Sequence, residues 1–230
     1  MAKTLYLFDI DGTLADFMDV HAEAYQHGFK TAADVYLTRE ELIKNFGIPA
    51  QIWITKVCNE KGIEKEKIPE IKKVTSEQFD IILEQKKGKL LDGVKDFLDY
   101  LTEKKEFIGI VTGNEKDKGT KLVEKLNLTR YFKIFSYAVG KLPRYGIVLN
   151  AIKMAKEKGF ELDKFDNVVV IGDTPMDVES GKESAKKSRI KTLTIAVATG
   201  RFSKKELNNT GADLVLDSLK EYMKIVELIK

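Results

Sequence analysis

The 230-residue chain has a single cysteine, Cys58. It has no apolar run long enough to cross a bilayer, no tail of one charge sign, no internal repeat and no low-complexity segment. One thiol excludes an internal disulfide and fits a reducing compartment. Cys58 follows the apolar-periodic stretch Ile52–Val57, so it reads as a small buried hydrophobe rather than a nucleophile. A spanning helix needs about 20 apolar residues in succession, and nothing in the chain approaches that. Met1 to Phe8 runs directly into a strand-like segment with no cleavage site, so no signal peptide is expected and a cytoplasmic protein is. Lys+Arg and Asp+Glu number 39 and 36, a net charge of +3. The lysine bursts near 86–89 and 182–191 read as solvated helix faces, so no nucleic-acid or membrane partner is expected. What is present, 43% hydrophobic and 33% charged residues, is the composition of a folded chain rather than a disordered one.

Four short β-rich runs stand out: Leu5–Phe8, Phe107–Val111, Val168–Ile171 and Leu193–Val197. None alternates apolar with polar, as expected of parallel strands buried on both faces. Two weaker runs, Phe135–Val139 and Leu214–Leu216, extend the set. Helical patterns separate them at Val94–Leu101, Lys116–Leu126, Ile147–Lys158, Val178–Lys186 and Lys204–Asn208. Ser203 with Glu206 and Ser218 with Glu221 have capping-box spacing, and Gly159 and Gly211 sit where helix C-caps belong. Strand alternating with helix predicts an α/β fold with a doubly wound parallel sheet, a Rossmann-like core.

Residues 16–87 break the alternation. They contain no convincing strand and predict helices at His21–Tyr36, Arg39–Asn45, Ala50–Lys61 and Glu66–Lys86, with Thr38 and Glu41 capping the second. The expectation is therefore a core of residues 1–15 and 88–230 with an inserted all-helical domain at 16–87, entered and left by hinges near 14–18 and 86–92. His21, Tyr25, His27, Phe46 and Trp53 lie in this insert, where packing between helices is the expected role.

The strongest chemical signal is Asp9-Ile10-Asp11-Gly12-Thr13-Leu14 at the carboxyl end of the first strand, the edge at which open parallel sheets bind ligands. A turn at Gly12 lets both carboxylates address one site. The plainer reading is a strand-ending Asp-Gly turn, and the other strand ends argue against it. The second strand ends in Thr112-Gly113-Asn114 before a helix, a hydroxyl and backbone N–H groups that suit an anion. Val168–Ile171 runs into Gly172-Asp173-Thr174-Pro175-Met176-Asp177, where either acid also suits an N-cap. Four carboxylates at one site repel one another and stay ionised only around a cation, for which hard oxygen ligands point to Mg²⁺. Lys141 and Arg144, just before a helix, are candidate phosphate-binding cations.

Taken together, Asp9-x-Asp11-Gly12-Thr13, Thr112-Gly113, a cation at 141–144 and Gly172-Asp173-x-x-x-Asp177 resemble the haloacid dehalogenase superfamily in order and spacing. The stretch 172–219 resembles its phosphoglycolate-phosphatase-like branch, and the helical insert matches that branch's cap in position. The resemblance implies a phosphatase acting on a small-molecule phosphate ester. Asp9 is then the nucleophile that becomes an aspartyl phosphate, and Asp11 the general acid and base. Thr112 and Gly113 would hold phosphoryl oxygens, and Asp9, Asp11, Asp173 and Asp177 would form the Mg²⁺ site. An acid at Asp11 favours phosphate chemistry over carbon–halogen cleavage, because a departing halide needs no proton. The family usually places Lys at the third motif; here Lys141 or Arg144 fills it, and the run Arg144-x-x-Ile-Val-x-x-Ala151 favours Arg144. The alternatives are a phosphoglucomutase-like phosphotransferase, a non-catalytic binding protein on the same scaffold, and a receiver domain, which the insert and the Asp-x-Asp spacing oppose. Oligomeric state is not readable from the chain.

Overall fold

Strand β1 (Leu5–Phe8) is buried on both faces, and its alternate residues meet different partners. Leu5 and Leu7 pack in one cluster with Ile147, Val148 and Ala151. Tyr6 and Phe8 meet Phe97 edge to face, with ring centroids 5.8 and 5.7 Å apart. That two-sided burial is the physical reason the strands carry no apolar–polar alternation.

The structure is a computed structural model that describes residues 4–48, 50–86, 88–140, 142–159 and 167–230. After β1 come helices α1 (Met18–Ala33), α2 (Arg39–Ile43), α3 (Ala50–Lys61) and α4 (Ile68–Gln85). The chain continues through α5 (Val94–Glu103), β2 (Phe107–Val111), α6 (Lys116–Lys125), β3 (Ile134–Ser136) and α7 (Arg144–Glu157). It closes with β4 (Val168–Gly172), α8 (Pro175–Ser188), β5 (Thr192–Val197), α9 (Lys204–Asn208), β6 (Leu214–Leu216) and α10 (Met223–Ile229). The six strands form one parallel sheet in the order β3-β2-β1-β4-β5-β6. Leu5 is in register with Phe107 on one side and Val168 on the other. Chain order runs outward from β1 in one direction and from β4 in the other, so the switch point that opens a ligand crevice lies at their carboxyl ends.

Two elements differ from expectation for identifiable reasons. Strand β3 stops at Ser136 because the Ala138 N–H donates to the Asn114 carbonyl at 3.0 Å rather than continuing the ladder. Helix α7 starts at Arg144, three residues earlier than the apolar pattern, with the Pro143 carbonyl accepting from the Gly146 N–H at 2.8 Å. The boxes at Thr38/Glu41 and Ser203/Glu206 form. At Ser218 the hydroxyl accepts from the Lys220 N–H instead, and Glu221 accepts from Asp217, so that box does not close.

The chain divides into two compact units, residues 1–16 with 89–230 and residues 17–88. The helical unit has its own core, in which Trp53 meets Tyr25 with ring centroids 4.6 Å apart and Phe29, Leu42, Ile54 and Cys58 surround them. His21 is buried against Phe79, whereas His27 is exposed. No helix among the described residues is long and apolar enough to cross a membrane.

Candidate active site

Beyond Phe8 the chain cannot continue as a strand, and the turn it makes builds the site. The Asp9 N–H donates to the Ile171 carbonyl of β4 at 3.0 Å, which fixes Asp9 between the two central strands. The N–H groups of Thr13, Leu14 and Ala15 then converge on the Ile10 carbonyl, at 3.3, 2.8 and 3.1 Å. Gly12 takes a left-handed φ of 77°, and a Cβ there would lie 2.3 Å from Asp173 Oδ2. Glycine meets both demands at once: the backbone sign and the close approach of a carboxylate. Asp9 is buried and Asp11 half-buried.

Asp173 follows β4 and is buried. Its Oδ1 lies 3.4 Å from the Thr13 hydroxyl, which donates to it. Asp177 belongs to the first turn of α8, where Thr174 and Asp177 close a reciprocal capping box. Asp177 Oδ2 accepts from the Thr174 N–H at 3.0 Å and its hydroxyl at 2.6 Å. Asp177 Oδ1 accepts from Arg144 Nε at 3.0 Å and also from Nη2. The same Nη2 lies 3.1 Å from Asp9 Oδ2. Arg144 thus reaches into the carboxylates from the first residue of α7 and lies against Gly113, where a side-chain carbon would come within 2.8 Å of Nη1. Lys141, the other expected cation, falls outside the described residues.

At the end of β2 the Thr112 hydroxyl accepts from the Asn114 N–H and from Asn114 Nδ2, each at 3.2 Å. A hydroxyl has two acceptor lone pairs and one proton, so the proton is what Thr112 has to offer a ligand. Two contributors were not singled out from sequence. Asn114 Nδ2 also donates to Asp11 Oδ2 at 2.6 Å. In the loop after β5, the Thr199 hydroxyl donates to the Gly12 carbonyl at 2.6 Å, and a Cβ at Gly200 would sit 1.7 Å from Asp173 Oδ2. The only sequence signal for either was its place just beyond a strand's carboxyl end.

Asp9, Asp173 and Asp177 each present an oxygen within 4.8 Å of the others. The electrostatic consequence is large. Burial pushes Asp9 up to about 7; Arg144 opposes the shift, and the Asp177 and Asp11 charges add to it. Asp173 is raised well above the ordinary carboxylate range by burial, then by Asp177 and Asp9. Burial alone would lower Arg144, but the Asp177 and Asp9 carboxylates outweigh it and keep it charged. Arg144 alone does not balance this many acids. With Asp177 engaged by Thr174 and Arg144, Asp9 and Asp173 are the carboxylates available to a cation. An all-oxygen set of this kind fits a hard divalent ion such as Mg²⁺.

The model of the haloacid dehalogenase-like hydrolases matches residues 6–195, a span that takes in all of these groups but Thr199 and Gly200. The chain belongs to that family. Solved structures share its fold: one described as a predicted phosphatase from Clostridium acetobutylicum superposes with a TM-score of 0.79 at 21% identity, covering 99% of this chain and 100% of that one. Another, a candidate β-phosphoglucomutase from Bacteroides vulgatus, gives 0.74 at 25% identity over 99% of this chain and 89% of its own. By sequence, the chain is 27% identical to a candidate pyrophosphatase, PpaX, of Clostridium perfringens, over 96% of each.

Proposed function

We propose that this haloacid dehalogenase-like hydrolase is a Mg²⁺-dependent phosphatase that transfers the phosphoryl group of a small-molecule monoester to Asp9 and then to water. The observation that carries the reading is the placement of Asp9. Its backbone is tied to β4 through the Ile171 carbonyl, Arg144 lies 3.1 Å from its carboxylate, and the same tight turn brings in a second acid, Asp11.

The chain's own groups suit two successive displacements. An Asp9 oxygen attacks phosphorus as the bond to the leaving oxygen breaks, and the leaving oxygen departs with the proton of Asp11. Asp11, now a carboxylate, takes a proton from water, whose oxygen attacks the phosphorus. The Asp9–phosphate bond breaks, inorganic phosphate leaves, and both acids return to their starting states. Thr112 offers its hydroxyl proton, and Gly113 its backbone N–H, to the phosphoryl oxygens. Arg144 orients Asp9 and, through Nη1, adds positive charge beside that turn. Asp177 keeps Arg144 in place. The carboxylates of Asp9 and Asp173 and the backbone carbonyl of Asp11 would hold Mg²⁺, which when bound neutralises charge on the phosphoryl group. Most catalysis of phosphoryl transfer is positioning and charge neutralisation, which is what this cluster provides.

The test is hydrolysis of p-nitrophenyl phosphate and a panel of phosphate monoesters with inorganic pyrophosphate, in Mg²⁺ and in EDTA, by wild type and Asp9→Asn. Metal-dependent phosphate release that the variant lacks is the expected result. Metal-independent release, or full activity of Asp9→Asn, would defeat it. Similarity to the B. vulgatus protein supports a second reading, phosphotransfer between sugar hydroxyls, and a hexose phosphate in the panel that is isomerised rather than hydrolysed would select it.

A further inference from the structure

Asn114 closes a small network whose other members all carry the chemistry. Its carboxamide has two N–H donors, and both are used: one donates to Asp11 Oδ2 at 2.6 Å, the other to the Thr112 hydroxyl at 3.2 Å. Its backbone is held as well, since the N–H donates to Thr112 Oγ1 at 3.2 Å and the carbonyl accepts from the Ala138 N–H at 3.0 Å. A side chain anchored at both ends is a rigid strut from β2 to the turn after β1.

We propose that Asn114 is the positioning residue that aims Asp11 for proton transfer, an inference that rests on the phosphatase reading. Asp11 sits on a turn, and the Asn114 amide holds one of its two carboxylate oxygens at 2.6 Å. An oxygen that accepts the Asn114 N–H on its lone pair is directed toward Asn114, so the proton Asp11 passes is carried by Oδ1. In the first displacement the leaving oxygen takes the electron pair of the broken P–O bond and this proton together. Misaiming Oδ1 by an ångström or so therefore hurts only those reactions whose leaving oxygen needs a proton.

That selectivity separates the proposal from a merely structural role. If Asn114 acted only by shaping Thr112, its loss would weaken phosphoryl binding equally for every ester. The experiment measures kcat/KM, which reports the steps through transfer to Asp9, for wild type, Asn114→Ala and Asn114→Asp with two substrates. One is an alkyl phosphate, whose alkoxide must be protonated to leave. The other is 2,4-dinitrophenyl phosphate, whose phenolate leaves unprotonated. General acid catalysis contributes about 10²–10⁴-fold, so Asn114→Ala is expected to lose at least about tenfold more on the alkyl ester than on the dinitrophenyl ester. Asn114→Asp, equal in size but presenting an acceptor to Asp11, should show at least as large a split. Thermal melts establish that each variant is folded. Equal losses on the two esters, or no loss on the alkyl ester, would overturn the positioning role while leaving the phosphatase reading intact. A wild-type enzyme that cleaves neither ester would remove both.

Discussion

Arg144 grips Asp177 through Nε and Nη2 and with the same Nη2 touches Asp9, so one guanidinium ties the first strand's nucleophile candidate to the helix after β4. The planar fork is what makes the double contact possible; a lysine ammonium is a point charge on a flexible stem. Arg144→Lys should therefore keep the charge and still lower kcat/KM, by about 100-fold or more if its groups stabilise the transferred phosphoryl as charge clamps do. Arg144→Ala should also destabilise, because it leaves Asp9 and Asp177 buried without their cation, a loss of about 3–5 kcal/mol for a broken buried pair. Denaturant titration in EDTA checks the second effect. A lysine variant with wild-type kcat/KM would show that the fork is not used.

The crowding around Asp9 makes stability depend on pH in a direction opposite to the usual carboxylate. Its pKa is raised from the ordinary 3.8 to about 7, by burial first and then by Asp177 and Asp11 against the pull of Arg144. Between those two values the folded chain keeps a proton that the unfolded chain has lost. Stability from this group is thus full below about pH 4 and lost as pH rises through about 7. In EDTA, the Tm advantage of Asp9→Asn over wild type should widen from pH 5 to pH 8. Mg²⁺ competes with that proton, so it should raise the wild-type Tm more at pH 8 than at pH 5. An advantage that shrinks with rising pH would contradict the sign.

Cys58 is fully buried in the helical unit, beside Trp53 and Ile54, and burial pushes its thiol pKa up. Reactive cysteines are exposed and low in pKa; this one is neither. The native protein should therefore leave a thiol reagent such as Ellman's reagent unreacted for as long as the unit stays folded, and denaturant should release one thiol per chain. Trp53→Ala should speed that release, since removing a buried aromatic costs about 3–5 kcal/mol. Prompt reaction of the native wild type would mean that the helical unit opens easily.

The parts of this arrangement readable from sequence share one property: each is local. Leu5–Phe8 and Val168–Ile171 announce themselves as doubly buried strands because every residue is apolar, and a strand end followed by Asp-x-Asp-Gly marks its own turn. The choice between Lys141 and Arg144 was open in the sequence because it depends on where α7 begins, and the apolar period locates only the part of that helix that packs. The structure sets Arg144 at the helix's first residue, beside Asp177. Asn114 and Thr199 were illegible as participants for another reason. Their partners, Asp11 and the Gly12 carbonyl, are 103 and 187 residues away in the chain, and only the assembly of the sheet, β2 beside β1 for Asn114 and β5 beyond β4 for Thr199, brings them within hydrogen-bonding distance. Polar residues in loops are common, and a long-range contact leaves no periodicity to find. The helical insert shows the same limit at smaller scale: its helices were visible, but α1 begins at Met18 and ends at Ala33, where Asp34 turns left-handed with φ 53°.

Gly200 sits so close to Asp173 that a methyl group there would fall 1.7 Å from Oδ2, well inside any contact distance. Either the loop or the carboxylate must move in Gly200→Ala. The loop is tied by the Thr199 hydroxyl to the Gly12 carbonyl at 2.6 Å, whereas the Thr13 hydroxyl meets Asp173 Oδ1 at only 3.4 Å, so the carboxylate should yield first. If Asp173 helps bind Mg²⁺, the variant should need about 10–100-fold more Mg²⁺ for half-maximal activity, the range seen when groups supporting a metal ligand are disturbed. Saturating Mg²⁺ should recover much of the lost rate. Thr199→Val removes the tether instead and should cost about 1 kcal/mol of stability, the net worth of one hydrogen bond, with a smaller change in Mg²⁺ requirement. Isothermal titration with Mg²⁺ on both variants distinguishes the two effects without relying on turnover. An unaltered Mg²⁺ affinity in Gly200→Ala would show that the position of Asp173 does not govern the metal site.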